Sequence, residues 1–170
     1  MELKRLCGFC INEWHLTTMI LPYLNNKINE NYRIITFLDE NIEDNIKTLT
    51  EKLNLKNEEK IKNINWKKTS AKKSKTVLKE LEETTKNVNN LILIYGNKEY
   101  IDLANKSINR WLDQNENLKN NIEIIKCYNA TDFNLNISEI LGENDKIINT
   151  SGEKEIEEVF ENYKKEEAKI

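Results

Sequence analysis

Leu91-Ile92-Leu93-Ile94-Tyr95-Gly96 decides the fold. It is apolar without alternation, as a β-strand covered on both faces should be, and Gly96 punctuates its end. Outward from it, Tyr32–Leu38 is a second strand rich in β-branched and aromatic residues, and Ile122–Tyr128 is a further clear one. Leu3–Phe9 and Lys146–Thr150 read as shorter strands. Helical spacing fills the gaps, at about Asn12–Asn29 with Pro22 inside it, from Asn41 to Leu53, over Val77–Lys86 and Lys98–Asp113, and at Asn134–Leu141. Asp39 or Asn41 offers the cap for the second of these helices. Lys56–Lys75 is the least readable stretch, with a short strand suggested at Lys60–Trp66. Gly152 precedes a closing charged helix, Glu153–Lys169. Strands separated by helices of this length imply βαβ units, so the expected fold is three-layer αβα around a mostly parallel sheet.

The chain has 170 residues and a formal net charge of -3, with 26 Lys+Arg against 29 Asp+Glu. That length suits one domain over residues 1–170 with a real core. The longest apolar runs, Met19–Pro22 and Leu91–Tyr95, fall far short of the roughly 20 residues a membrane span needs. No signal peptide opens the chain, because Lys4 and Arg5 interrupt its first residues. Balanced charge and three arginines argue against a dedicated nucleic-acid surface. The expectation is a soluble, cytoplasmic protein without membrane or direct nucleic-acid contact.

In open sheets of this kind, ligands bind beyond the carboxyl ends of the strands. That selects Cys10–His15, Asp39-Glu40, Tyr95–Glu99, Cys127–Asp132 and Thr150–Gly152. The first unit has the shape of a P-loop ATPase opening: strand, turn, helix, then a strand closing in Asp39-Glu40. A working loop needs G-x-x-x-x-G-K-[ST], whose glycine donors wrap the phosphates and whose lysine neutralises them. From Gly8, those later places hold Glu13, Trp14 and His15. The strand at Leu91–Ile94 leads into Tyr95-Gly96 with no Walker B aspartate, so hydrolysis by the usual route is not expected. Asp39-Glu40 could be an acid/base pair, although capping is the plainer role. Thr150-Ser151-Gly152 could hold an anion at the following helix or simply cap it.

Three cysteines without a secretion signal fit a reducing compartment. Cys7-Gly-Phe-Cys10 is formally C-x-x-C, with the one histidine, His15, five residues on. A dithiol or a metal site using Cys10 and His15 can be drawn, but a zinc site wants four ligands. If Cys7 lies within the first strand, Cys7 and Cys10 point in different directions.

Leu6-Cys7-Gly8-Phe9-Cys10, Leu21-Pro22-Tyr23-Leu24 and Tyr32–Glu40 resemble the N-terminal half of the MEDS domain, a sensory domain of methanogens and methylotrophs. Cys127-Tyr128-Asn129, Phe133, Leu141 and Asp145–Asn149 are similar to its second half, so the likeness spans about residues 3–152. Two departures stand out: Arg5 occupies the place of a usual histidine, and Cys127 and Tyr128 are adjacent where the family spaces them. The resemblance implies a RecA/KaiC-like P-loop fold lacking Walker motifs. Such a domain is non-catalytic, senses a small hydrocarbon derivative, needs no cofactor and signals through a histidine kinase or transcription regulator. Its ligand would meet Cys7, Cys10, Glu13, Trp14, His15, Asp39, Glu40, Tyr95, Cys127 and Tyr128. Trp14 and Tyr128 could equally be ordinary core residues. A degenerate nucleotide-binding protein and a zinc or thiol-redox protein using Cys7, Cys10 and Cys127 are the alternatives. The closing helix could dock a partner or a second copy of the chain, although a solvated terminal helix is the plainer expectation.

Overall fold

A computed structural model describes residues 3–70, 76, 78–79 and 88–160. Six strands form one sheet: β1 (Lys4–Cys10), β2 (Tyr32–Leu38), β3 (Asn89–Gly96), β4 (Ile122–Asn129), β5 (Lys146–Asn149) and β6 (Gly152–Lys154). Their order is β2-β3-β4-β1-β5-β6, parallel except for the antiparallel β5–β6 pair. The helices with described bounds are α1 (Glu13–Asn29), α2 (Glu43–Leu53), α3 (Glu58–Lys62), α4 (Lys98–Gln114), α5 (Ile137–Gly142) and α6 (Ile156–Val159), with a 3-10 turn at Glu116–Asn121.

Two apolar layers sandwich the sheet. Leu16, Ile20 and Leu24 of α1 join Ile46, Ile61 and Trp66 over one face, with Leu6, Leu93, Tyr95 and Cys127 beneath them. Ile101, Ala104 and Ile108 of α4 join Leu141 and Ile156 over the other, against Cys7, Ile92, Ile94 and Ile124. The chain runs one way across the sheet from β1 to β2 and the other way from β3 through β4 to β5. A uniform crossover hand then requires α1 on one face and α4 and α5 on the opposite one, as found. The expected three-layer αβα architecture with a mostly parallel sheet is present. No helix among the described residues is long and apolar enough to cross a membrane.

Three local expectations are corrected. Lys60–Trp66 is not a strand: Glu58–Lys62 is helical, and Ile61 and Trp66 are both buried over the α1 face. The following chain, 65–69, seals the outer edge of β2 instead. Thr36 donates its hydroxyl to the Asn65 carbonyl, and Thr69 N donates to Leu38 O at 2.8 Å. Covering an edge strand in this way removes a template for intermolecular pairing. The closing helix does not start at Glu153, because Thr150-Ser151 is a two-residue turn that pairs Asn149 with Gly152 and starts β6. Gly152 takes φ +101°, a conformation costly for other residues, and Ser151 N is satisfied by Asn149 Oδ1 at 2.9 Å. A strand therefore follows this turn, and the proposed anion site at a helix start there falls away. The described part of the closing helix is Ile156–Val159, and residues 161–170 lie outside the described residues, as does most of Val77–Lys86. At α2, Ile42 is the capping residue, while Asn41 Oδ1 accepts from Glu43 N at 2.9 Å.

Candidate functional site

β1 and β4 are neighbours, yet β1 feeds α1 on one face and β4 feeds α5 on the other. Their carboxyl ends therefore form a topological switch point, and the ends of β2 and β3 form a second. Each is bridged by a backbone hydrogen bond: Ala130 N donates to Cys10 O at 2.8 Å, and Asp39 N to Tyr95 O at 2.9 Å. At the second, Gly96 allows a close approach. A Cβ there would lie 2.6 Å from Asp39 Cβ and 2.9 Å from Tyr100 Cδ1.

Two donors of the turn between β1 and α1, Ile11 N and His15 N, are engaged by side chains of the turn itself. Asn12 caps the helix, its Oδ1 accepting from His15 N at 2.9 Å, and its carbonyl accepts from Leu16 N at 3.0 Å. His15 Nδ1 accepts from Ile11 N at 3.0 Å, which assigns the ring proton to Nε2. His15 thus acts as a local brace for the turn. In a phosphate cradle the same N–H groups would point at the anion.

Glu13, in the first turn of α1, reaches across to Glu40, beyond the end of β2. Sharing a hydrogen bond with Glu13, together with burial and the charges of Glu13 and Asp39, raises the Glu40 carboxyl to about 7, against the pull of Lys68. The same bond, with a backbone donor, holds Glu13 below the ordinary glutamate range. The two shifts run in opposite directions, Glu40 holding its proton more readily and Glu13 its charge. Tyr95 lies in the layer below; burial, then the charges of Glu13 and Glu40, push its phenol up. Cys10 and Cys127 are buried in the same layer, where the neighbouring Cys10 thiol, with burial, raises the Cys127 thiol.

The structure therefore groups Cys10, Glu13, Glu40, Tyr95 and Cys127 over one face, with Asp39 beside Gly96. The other expected residues lie elsewhere. Cys7 and Tyr128 belong to the opposite layer, so Cys7 and Cys10 do point to different sides of the sheet. Tyr128 is a core residue stacked on Phe9 at 6.0 Å, and Phe9 meets Phe160 edge-on at 6.3 Å. Trp14 is no core residue, being 48% exposed. Ile11 and Phe133, which follow β1 and β4, are also exposed at this end of the sheet. No three His, Cys, Asp or Glu side chains are grouped for a metal among the described residues. Sequence reasoning passed over Gly96 as a contact for Asp39, and over the two charges inside β4, Glu123 and Lys126. Both of these are buried. Ionisable residues in an otherwise apolar strand were the available signal.

These opposed shifts make a pH prediction. With the Glu40 carboxyl raised to about 7, the folded pair should hold a proton between pH 4.5 and 7 that an unfolded glutamate gives up. This contribution to stability is present at the lower end of that window and declines as pH rises through about 7. Glu13 acts in the opposite sense, its contribution being lost as pH falls below its ordinary range. Glu40→Gln mimics the protonated carboxyl, so its urea midpoint should change less than the native protein's between pH 4.5 and 7. Parallel midpoint curves for the two proteins would show that Glu40 does not hold that proton.

No protein-family model matches the chain, and no curated protein matches it. Among solved structures, the PCH-2 protein of C. elegans is similar at 16% identity and a TM-score of 0.33, over 84% of this chain and 41% of that one. The chain thus spans less than half of that protein, and so distant a likeness carries no argument about function.

Proposed function

We propose that this chain is a non-catalytic regulatory domain on a P-loop-type scaffold, which senses a small ligand and acts through a partner protein. The observation that carries the reading is the β1–α1 turn. Two of its N–H groups, Ile11 N and His15 N, go to His15 and Asn12, and Glu13 adds a negative charge where phosphates would need donors and a cation. A phosphate placed there would meet the Glu13 carboxylate and a turn without free glycine donors. Ile11, Trp14 and Phe133 at the same end of the sheet supply exposed apolar area suited to a protein partner. The MEDS resemblance supports the same reading.

Thermal denaturation with and without Mg·ATP, Mg·ADP and Mg·GTP tests it. A nucleotide with a Kd near 10 μM, supplied at about 1 mM, would stabilise the fold by about 2.7 kcal/mol. The expected result is no stabilisation by any of the three. Saturable stabilisation would establish a nucleotide-binding protein in place of this reading. Trp14→Ala and Phe133→Ser should each change stability by no more than about 0.5 kcal/mol, as substitutions outside the core do. A loss of several kcal/mol from either would assign that side chain to the fold and remove it from the docking surface.

A further inference from the structure

On the opposite face of the sheet, a groove of about 570 Å³ lies between α4 and the end of α5, over the amino-terminal half of β1 and the middle of β4. Lys126 of β4 lines it. This lysine is 1% exposed and makes no hydrogen bond or ion pair with another described residue. A buried ammonium is ordinarily paired, because desolvating an unpaired charge costs several kcal/mol. A polar atom on the groove wall also lacks a partner: Asn105 Oδ1 is buried and accepts no hydrogen bond.

The surrounding charge is not balanced. Arg5 is tied to a neutral group, donating to Asn109 Oδ1 at 3.2 Å, and Arg110 is exposed on the rim. Of the acids, Asp102 is engaged by Lys98 at 2.7 Å, and Asp113 has Lys119 at 3.5 Å. Glu143 is the lining acid without such a close cation among the described residues. The groove thus offers cations for one small anion, and a buried acceptor that needs a donor.

We propose that this groove is a binding site for a small organic acid carrying a hydrogen-bond donor next to its carboxylate, an α-hydroxy or α-amino acid. The carboxylate meets Lys126 and Arg5, and the hydroxyl or amino group donates to Asn105 Oδ1, with Glu143 available to an ammonium. An acid carrying that adjacent donor meets both requirements at once, its carboxylate answering Lys126 and its hydroxyl or amino group answering Asn105, which neither a cation nor an apolar ligand does. Burial holds the Lys126 ammonium below its ordinary value, with Glu143 the leading opposing influence, so an arriving anion should move it back up. The site is independent of the strand-end surface: the nucleotide test leaves it untouched, and its own failure leaves the regulatory reading standing.

Titration of the full chain, carrying 13C-labelled lysine, with glycolate, serine, acetate and inorganic phosphate tests the proposal. Glycolate or serine should shift the Lys126 Cε resonance saturably and raise the pH at which it titrates. Acetate, lacking the donor, should bind about tenfold more weakly, the worth of one hydrogen bond to a buried acceptor. Lys126→Met keeps the apolar stem and abolishes binding. Arg110→Gln, an exposed change that leaves folding intact, should weaken it several-fold and serves if Lys126→Met does not fold. Three results would overturn the proposal: no saturable response to either donor-bearing acid, a response unaffected by Lys126→Met or Arg110→Gln, or phosphate binding tighter than both acids.

Discussion

Replacing Trp66 with alanine should lower the unfolding free energy by about 3–5 kcal/mol, the range for truncating a large buried aromatic side chain. Trp66 is 1% exposed and sits in the layer formed by α1, α2 and α3. Its indole Nε1 donates to Ile61 O at 2.8 Å, and its carbonyl accepts from Ile42 N at 3.0 Å. The side chain therefore ties the end of α3 to the fold, while its backbone ties the start of α2. It also leads directly into residues 65–69, which cover the β2 edge. Alanine would leave a cavity, take the indole donor from the Ile61 carbonyl, which keeps the Ile64 N–H at 3.2 Å, and loosen that cover. The expected signature is a large drop in urea midpoint with an unchanged slope, accompanied by a greater tendency to aggregate. Trp66→Phe fills most of the space and should lose much less, chiefly the indole hydrogen bond, worth about 1 kcal/mol. A loss below 1 kcal/mol for the alanine variant would show that the layer can collapse around the gap.

Trp66 also marks where the sequence stops being legible. β2 and β3 stand out because each is a run of apolar residues bounded by polar ones, which a covered parallel strand requires. α4 stands out because Tyr100, Ala104, Ile108 and Trp111 recur at helical spacing and are all buried. Ile61, Ile64 and Trp66 form too short a set for periodicity to separate strand from helix, and contact with α1 and α2 decides the outcome. The end of β5 misleads for a different reason. The charged run after Gly152 suits a helix, but a two-residue turn with a left-handed glycine closes a hairpin first.

The candidate site was legible one residue at a time and illegible as an arrangement. Glu13 could be seen spoiling the phosphate turn, and Asp39-Glu40 could be seen closing a strand. That Glu13 meets Glu40 depends on β3 and β4 lying between β1 and β2, so that α1 brings Glu13 over the intervening strands. Strand order is a tertiary fact that no local pattern encodes. The two faces explain the remainder: a register that pairs Gly8 with Cys127 puts Cys127 on the side of Cys10 and leaves Cys7 opposite Lys126.

Glu123 is the second position where a single substitution should be costly, and the comparison with a double variant gives its reason. It opens β4 at 2% exposure, and its carboxylate accepts from the Tyr23 hydroxyl at 3.0 Å and lies 3.3 Å from both Lys4 Nζ and Lys27 Nζ. Lys4 also pairs with Glu153 of β6, and Lys27 sits over the Tyr32 ring at 4.7 Å. One carboxylate thus joins the last turn of α1 to the amino ends of β1 and β4. Glu123→Ala leaves the Tyr23 hydroxyl without its acceptor and Lys27 with the exposed Glu30 carboxylate at 3.5 Å in place of a buried one, a loss of about 3 kcal/mol. Burial and the Glu123 charge both hold the Tyr23 phenol above its ordinary value, so the variant should also ionise Tyr23 at lower pH, readable by absorbance. If the cost comes from stranded partners, removing a partner as well should restore much of it. Glu123→Leu with Lys27→Met should therefore be more stable than Glu123→Leu alone, because replacing a whole buried pair by apolar groups is often neutral or better. A double variant as unstable as the single one would place the worth of Glu123 in the Lys4–Glu153 branch instead, and Glu153→Gln would then reproduce part of the loss.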